Sequence, residues 1–262
     1  MSAWKPKKYL GQHFLKDLDI SKQIVEAIKL PLQDPSSIVL EIGPGKGALT
    51  HFLVQKQFAN LYLVEIDSEL VSYLLKTYPI LSNHIIEADF IKLDLTKRWV
   101  GPISVVGNFP YNISSQIFFK LLQHRDQVKE IVCMVQKEVA ERIIAQPGSK
   151  AYGIPSVFLQ AFYNINYLFT VGPDLFMPPP KVNSAVIRLE RNELQQLPCN
   201  ENLFSKLVKL GFQQRRKKLK NALSAMILPA HLVDLPQLNQ RAEELSISDF
   251  IALTQEIGAH IA

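Results

Sequence analysis

Five short apolar runs, each separated from the next by a longer stretch, constrain the fold of this chain more than any other feature. They are Ser37-Ile38-Val39-Leu40-Glu41-Ile42, Leu61-Tyr62-Leu63-Val64-Glu65, Ile85-Ile86-Glu87-Ala88-Asp89, Ile103-Ser104-Val105-Val106 and Ile131-Val132-Cys133-Met134-Val135. Helical patterns lie between them, from about Ala48 to Lys56, from Ser68 to Tyr78 and from Ile117 to Leu122. Strands alternating with helices in this way predict βαβ units, which require a parallel sheet covered by helices on both faces. An amphipathic helix with Ile20, Ile24, Val25 and Ile28 on one face precedes the first strand. Ser184-Ala185-Val186-Ile187-Arg188-Leu189 alternates like a last strand and is expected at an antiparallel end. The expected fold class is α/β, a Rossmann-like sheet that is mostly parallel with one antiparallel end strand.

Such a sheet binds ligands at the carboxyl ends of its strands, and the polar clusters of this chain fall at such ends. Gly43-Pro44-Gly45-Lys46-Gly47 follows the first strand and precedes a helix, the setting of a nucleotide-binding loop. Its spacing is neither G-x-G-x-x-G nor that of a P-loop, so taken alone it reads equally as a tight turn. Glu65 ends the next strand at the distance of about 20 residues where an acidic side chain accepts hydrogen bonds from ribose hydroxyls. Asp89 ends the third run, where a carboxylate either caps a following turn or accepts from an adenine amino group. The two acids together point to an adenosine-containing ligand without a pyrophosphate, a description that S-adenosyl-L-methionine fits.

The fourth run continues into Gly107-Asn108-Phe109-Pro110-Tyr111 and then Asn112-Ile113-Ser114-Ser115, which reads as strand, tight loop and Ser-capped helix. Pro110 fixes its own φ and restricts Phe109 to extended conformations, so the loop is stiff. The Asn108 amide oxygen and a nearby carbonyl can accept both protons of an adenine N6 amine, which frees the nitrogen lone pair for a methyl donor. The Tyr111 ring can stack on the base, an interaction worth ~1–3 kcal/mol. A strand ending in a proline turn is the plainer alternative.

After Val157 the chain turns rich in aromatics and proline, and a composition shift at Asn192 to Asn202 marks a boundary. Two domains are expected: residues 1–195 hold the sheet and a basic N-terminal segment, and residues 196–262 form a small all-α domain. In Arg215-Arg216-Lys217-Lys218-Leu219-Lys220, helical spacing puts Leu219, Ala222, Leu223 and Met226 on an apolar stripe with Arg216, Lys217 and Lys220 facing away. Arg215 falls near the stripe and needs a buried acceptor or an anion. The run is either a solvated helix face or a phosphate-contacting one, and Lys5, Lys7 and Lys8 are either further phosphate contacts or a disordered tail.

Lys and Arg exceed Asp and Glu by 29 to 24, a net charge of +5, too small an excess to signify unless it clusters. The hydrophobic share of 47% and charged share of 20% are those of an ordinary globular protein. No apolar run approaches the ~18 residues of a membrane span, and the basic N-terminus is followed by no signal-peptide core. A cytoplasmic protein without disulfides is expected, with Cys133 a buried small hydrophobe. None of the six histidines has a paired ligand spacing, so no metal is expected. No apolar heptad signals an oligomer, and a monomer is expected.

Seven ordered motifs carry a family resemblance: Gly11-Gln12-His13-Phe14-Leu15, Glu41-Ile42-Gly43-Pro44-Gly45, Glu65-Ile66-Asp67, Ala88-Asp89, Asn108-Phe109-Pro110-Tyr111, Phe176-Met177-Pro178-Pro179-Pro180-Lys181-Val182-Asn183-Ser184 and Phe212-Gln213-Gln214-Arg215-Arg216-Lys217. From about residue 9 to its end the chain resembles the small-subunit ribosomal RNA adenine N6-dimethyltransferases, most closely the bacterial form. The resemblance implies the class I methyltransferase version of the sheet and S-adenosyl-L-methionine as cofactor. It further implies that His13 and Leu15 line the methionine end of the cofactor site and that Gly43 lies beneath it. Glu65 would take the ribose hydroxyls, Asp89 the cofactor adenine, and Asn108 both cofactor and target amine. Phe176 would be a second stacking surface opposite Tyr111, and the C-terminal domain with Arg215, Arg216, Lys217 and Lys220 would contact RNA. His13, Phe109 and Asn183 stand where Asn, Leu and Asp are usual; an imidazole at 13 could make cofactor binding pH-sensitive.

The implied reaction is dimethylation of two adjacent adenosines near the 3′ end of 16S ribosomal RNA, within the small subunit or its precursor. The target base must be flipped out of its stack, and catalysis is mainly alignment. The rival readings are a non-catalytic assembly factor on the same fold and a large-subunit ribosomal RNA adenine methyltransferase. A nicotinamide dehydrogenase fails on the loop spacing.

Overall fold

The computed structural model describes residue 7 and residues 10–30, 35–226, 230–232 and 234–260. The chain enters through a short strand, β1 (Phe14–Leu15), and a helix, α1 (Leu18–Glu26), whose N-cap Asp17 accepts from the Ile20 amide at 2.8 Å. Ile24 and Val25 are buried, with Ile20 and Ile28 partly covered beside them, as their spacing requires. Then β2 (Ile38–Ile42), α2 (Thr50–Gln55), β3 (Leu61–Glu65), α3 (Ser68–Thr77), β4 (Ile85–Glu87), α4 (Leu95–Arg98), β5 (Ile103–Asn108), α5 (Ser114–Gln123) and β6 (Val128–Gln136) follow in alternation. All five residues of β2 are buried, the pattern of a parallel strand covered on both faces. α3 and α5 bury Leu70, Val71 and Leu74, and Ile117, Phe118, Leu121 and Leu122, at helical spacing.

The chain continues through α6 (Lys137–Ile144), α7 (Ile154–Phe162), β7 (Tyr163–Val171), β8 (Phe176–Met177) and β9 (Ser184–Arg191). The main sheet has the order β4-β3-β2-β5-β6-β9-β7. The pairs β3–β4, β2–β3, β2–β5 and β5–β6 are parallel, and β9 runs antiparallel to β6. The antiparallel end expected from the sequence is present but holds one strand more: β7, unread in the aromatic stretch, lies outside β9 and takes the edge. β2 is the point where chain order reverses, so a crevice opens beyond the carboxyl ends of β2 and β5. β1 and β8 form a separate antiparallel pair, with Phe14 opposite Met177 and Leu15 opposite Phe176. Away from the crevice, buried Glu130 of β6 is satisfied by the Lys29 amide at 2.9 Å, the Leu30 amide at 3.2 Å and the Ser104 hydroxyl at 2.8 Å.

The chain divides into two compact units, one of residues 1–140 and 164–191 and the other of 141–163 and 192–262. The second therefore begins within a few residues of the expected boundary at 196 but also reclaims an earlier stretch containing α7. Side-chain packing is the reason. Phe158 of α7 meets Phe204 of α8 (Glu201–Gln213) edge-on at 5.9 Å, and Phe204 meets Phe250 of a later helix (Ile247–Gly258) at 6.4 Å. Sequence adjacency had placed α7 with the sheet; its apolar face places it with the helices.

The basic run differs from the expected continuous helix. α8 ends at Gln213, residues 214–217 turn, Lys218 bridges to Arg241, and α9 spans only Leu219–Ala222. Leu219, Ala222 and Leu223 are buried as the stripe required, Met226 is only partly buried, and Arg216, Lys217 and Lys220 are exposed. Arg215 has found its acceptors within this unit: it donates to the Glu243 carboxylate and to the Ser149 carbonyl.

Candidate active site

The crevice is built by backbone turns at strand ends. In the loop after β2, Gly43 and Gly45 have φ of 64° and 59°, the left-handed region that glycine enters without strain. A Cβ on Gly45 would also stand 2.7 Å from the Phe14 ring, so this position is closed to side chains twice over. The Gly45 amide donates to Glu65 at 3.1 Å, tying the loop to the end of β3. The other Glu65 oxygen accepts from the amides of Ile66 at 2.9 Å and Asp67 at 3.0 Å. Burial pushes the Glu65 carboxyl up, and these three amides pull it back.

Two residues beyond β4, Asp89 accepts from the Ile91 amide at 3.0 Å and caps the next turn, while its side chain also lines the crevice. The capping reading of this acid holds, and its place in the crevice leaves it available to a ligand. At the end of β5, Asn108 donates through Nδ2 to the carbonyl of His13 at 2.8 Å. A carbonyl only accepts, so this bond fixes the amide orientation and leaves Oδ1 as the acceptor. Phe109 is fully buried, its ring 5.6 Å from that of Phe118, and it also contributes to the lining of the crevice. α5 starts at Ser114 with Ile113 at its cap and no side-chain cap bond; the Ser114 hydroxyl turns to the Tyr111 carbonyl, unlike the expected Ser cap.

The N-terminal segment closes one side. Lys7 Nζ pairs with buried Asp67 at 2.7 Å and with Glu69 at 3.1 Å, the Lys7 amide donates to Gln12 Oε1 at 2.7 Å, and Gln12 Nε2 donates to Asp67 at 3.2 Å. Burial raises the Asp67 carboxyl, but the bonds from Lys7 and Gln12 outweigh it and hold the group below its usual range. Lys7 is thus engaged with carboxylates rather than open to phosphates; Lys5 and Lys8 lie outside the described residues. His13 stacks on the Tyr111 ring, with centroids 5.4 Å apart and planes at 26°, and its Nδ1 meets the Pro178 carbonyl at 2.8 Å. The Tyr111 hydroxyl shares a hydrogen bond with Ser184, and burial pushes that phenol up while the Ser184 bond opposes it.

One cleft gathers His13, Leu15, Gly43, Gly45, Glu65, Asp89, Asn108 and Tyr111, every cofactor residue expected from the sequence and one of the two stacking rings. Phe176, the other expected ring, lies outside this cleft. Its ring is 1% exposed, packed in the apolar cluster with Leu15, and it does not line the cleft, because pairing of β8 with β1 turns it inward. The four basic candidates belong to the other unit. Residue reasoning gave no role to Glu41, which also lines the cleft: burial pushes it up to about 8 even though the Thr50 hydroxyl donates to it at 2.6 Å. A lone acid inside an apolar strand was the available signal. Ile66, an exposed apolar residue beside Glu65, gave no such signal. Among the described residues no helix is long and apolar enough to cross a membrane.

Comparison with known proteins agrees with this geometry. Residues 3–258 match the family model described as ribosomal RNA adenine dimethylase. The ribosomal RNA small subunit methyltransferase A of Phocaeicola vulgatus is 50% identical over 261 residues, covering 99% of this chain and 92% of the relative. That of Cytophaga hutchinsonii is 50% identical over 254 residues, covering 97% and 98%. Among solved structures, a dimethyladenosine transferase from Plasmodium falciparum aligns with a TM-score of 0.78 at 28% identity over 94% of this chain and 97% of its own. The 23S rRNA methyltransferase ErmE shares the fold, with a TM-score of 0.66 at 24% identity over 92% and 99%. On a match that spans nearly its whole length, this chain belongs to the ribosomal RNA adenine dimethylase family.

Proposed function

We propose that this protein dimethylates N6 of two adjacent adenosines near the 3′ end of 16S ribosomal RNA, in the small subunit or its precursor, using S-adenosyl-L-methionine. It acts as a cytoplasmic monomer. The observation that carries the reading is the fixed Asn108 amide, whose free acceptor lies in the same cleft as Glu65 and Asp89. Relatives named for the small subunit support the choice of ribosomal substrate.

The donor set fits the cofactor. Two carboxylates at successive strand ends suit ribose hydroxyls and an adenine amine, and the loop at Gly43 and Gly45 brings bare backbone to the cleft. Glu65 would hold the ribose, Asp89 the adenine, and His13, Leu15 and Gly43 the methionine end. When bound, S-adenosyl-L-methionine supplies a methyl group already activated on a sulfonium. The protein therefore needs alignment more than a strong base. Asn108 Oδ1 accepts a hydrogen bond from the target amine and orients its lone pair; the N–CH3 bond forms as the S–CH3 bond breaks to leave the thioether, and the proton lost from the methylated nitrogen passes to solvent. Tyr111 offers a ring face to the flipped base. Phe176 can serve as a second face only if its ring leaves the core. Arg216, Lys217 and Lys220 supply phosphate contacts from the second unit.

Incubation with methyl-labelled cofactor and separately purified small and large subunits tests the reading. Label on two adjacent adenines of the small subunit is expected. Label on the large subunit alone would establish the rival substrate, and no label on either would leave an assembly factor.

A further inference from the structure

The Tyr111 ring is held from two sides before any substrate arrives. One face is occupied by the His13 imidazole, itself tethered through Nδ1 to the Pro178 carbonyl and through its backbone to Asn108. The far end of the ring shares a hydrogen bond with Ser184 Oγ. Ser184 is fully buried, opens β9 and stands in register with Gln136 at the end of β6. Its hydroxyl is therefore fixed by the sheet, whereas Tyr111 lies on a loop between β5 and α5 and has two side-chain torsions of its own. A hydroxyl on a rigid strand bonded to a phenol on a loop is the arrangement that presets a ring.

We propose that Ser184 is a positioning residue for methyl transfer: it pins the hydroxyl end of Tyr111, so that with His13 behind the ring a single face is presented to the target adenine. The proposal rests on the methyl-transfer reading above. Without the bond the ring must be immobilised when the base binds, and alignment is lost in the reacting complex. Ser184 does not itself line the cleft and, on this account, does not touch the base; it acts through its bond to Tyr111 alone. Removing either hydroxyl should then have the same consequence, and removing both should add nothing.

The experiment compares Ser184→Ala, Tyr111→Phe and the double variant with wild type, measuring kcat and KM on unmethylated small subunits and, separately, the cofactor dissociation constant. Each single variant is expected to lower kcat about fivefold, the worth of one neutral hydrogen bond, with cofactor affinity within twofold of wild type. The double variant is expected to match the singles. Wild-type kcat in Ser184→Ala, or a double variant that loses the product of the two single effects, would overturn the proposal. If Ser184→Ala fails to fold, Tyr111→Phe removes the same bond from the other end, and an unchanged kcat there overturns it equally. Wild type that transfers no methyl group sinks the methyl-transfer reading and this proposal together; variants equal to an active wild type sink the proposal alone.

Discussion

On the proposed function, single residues in the cleft divide into those that meet ligands and those that set the conditions for meeting them. Asn108→Ala is expected to lower methyl transfer on the order of 100-fold, a typical loss for one preorganised polar group, while the cofactor dissociation constant stays near wild type. Glu65→Ala should do the reverse, weakening cofactor binding first; equilibrium titration and turnover measured on both variants separate the roles. Glu41 acts on stability. Its carboxyl is near 4.5 when exposed and is pushed up to about 8 by burial, opposed by the Thr50 hydroxyl. The unfolded chain therefore releases this proton first, and folding stability falls as pH rises from about 4.5 to about 8. Glu65 contributes with the same sign. Glu41→Gln should flatten that fall, which melting temperatures from pH 4.5 to 8.5 for both proteins would show. The cleft-lining acids Glu65 and Asp89 could be read from strand-end positions. Glu41 could not be assigned, because an acid in an apolar run declares its burial only when the neighbouring strands are in place.

At the scale of elements, the strand–loop–helix units were legible because their two periodicities differ and because glycine marks the turn. β7 was not, since its burial alternates irregularly and its aromatics suit strand and helix alike. The loop after β2 carries the clearest prediction. Gly45→Ala forces a side chain into the left-handed region, at a cost of roughly 1–2 kcal/mol, and drives a methyl into the Phe14 ring. Phe14 belongs to β1, so the same change disturbs the segment that carries His13 and Leu15. Denaturant unfolding should report the lost stability, and cofactor titration a weakened affinity. β1 itself was invisible as a strand: two residues have no period, and they pair only because β8 lies opposite.

For the whole molecule, the proposed function assigns the cofactor cleft to one unit and phosphate contacts to the other. Replacing Arg216, Lys217 and Lys220 together with Ala is expected to weaken binding to small subunits and to lower the slope of log affinity against log salt by about 2, with cofactor affinity unchanged. Arg215→Ala should instead lower the melting temperature, because it leaves the Glu243 carboxylate without its partner. Filter binding across salt concentrations and thermal unfolding would separate the four basic residues. Hydrophobic period, glycine placement and strand-end acids were enough to specify the parallel sheet, its ligand-binding edge and most of the cleft, because each depends on local spacing along the chain. The inward turn of Phe176, the attachment of α7 to the second unit, the Lys7 contacts with Asp67 and the Ser184 bond to Tyr111 came only with the fold. Each joins residues far apart in sequence, and such partners are chosen by packing geometry, which no local pattern encodes.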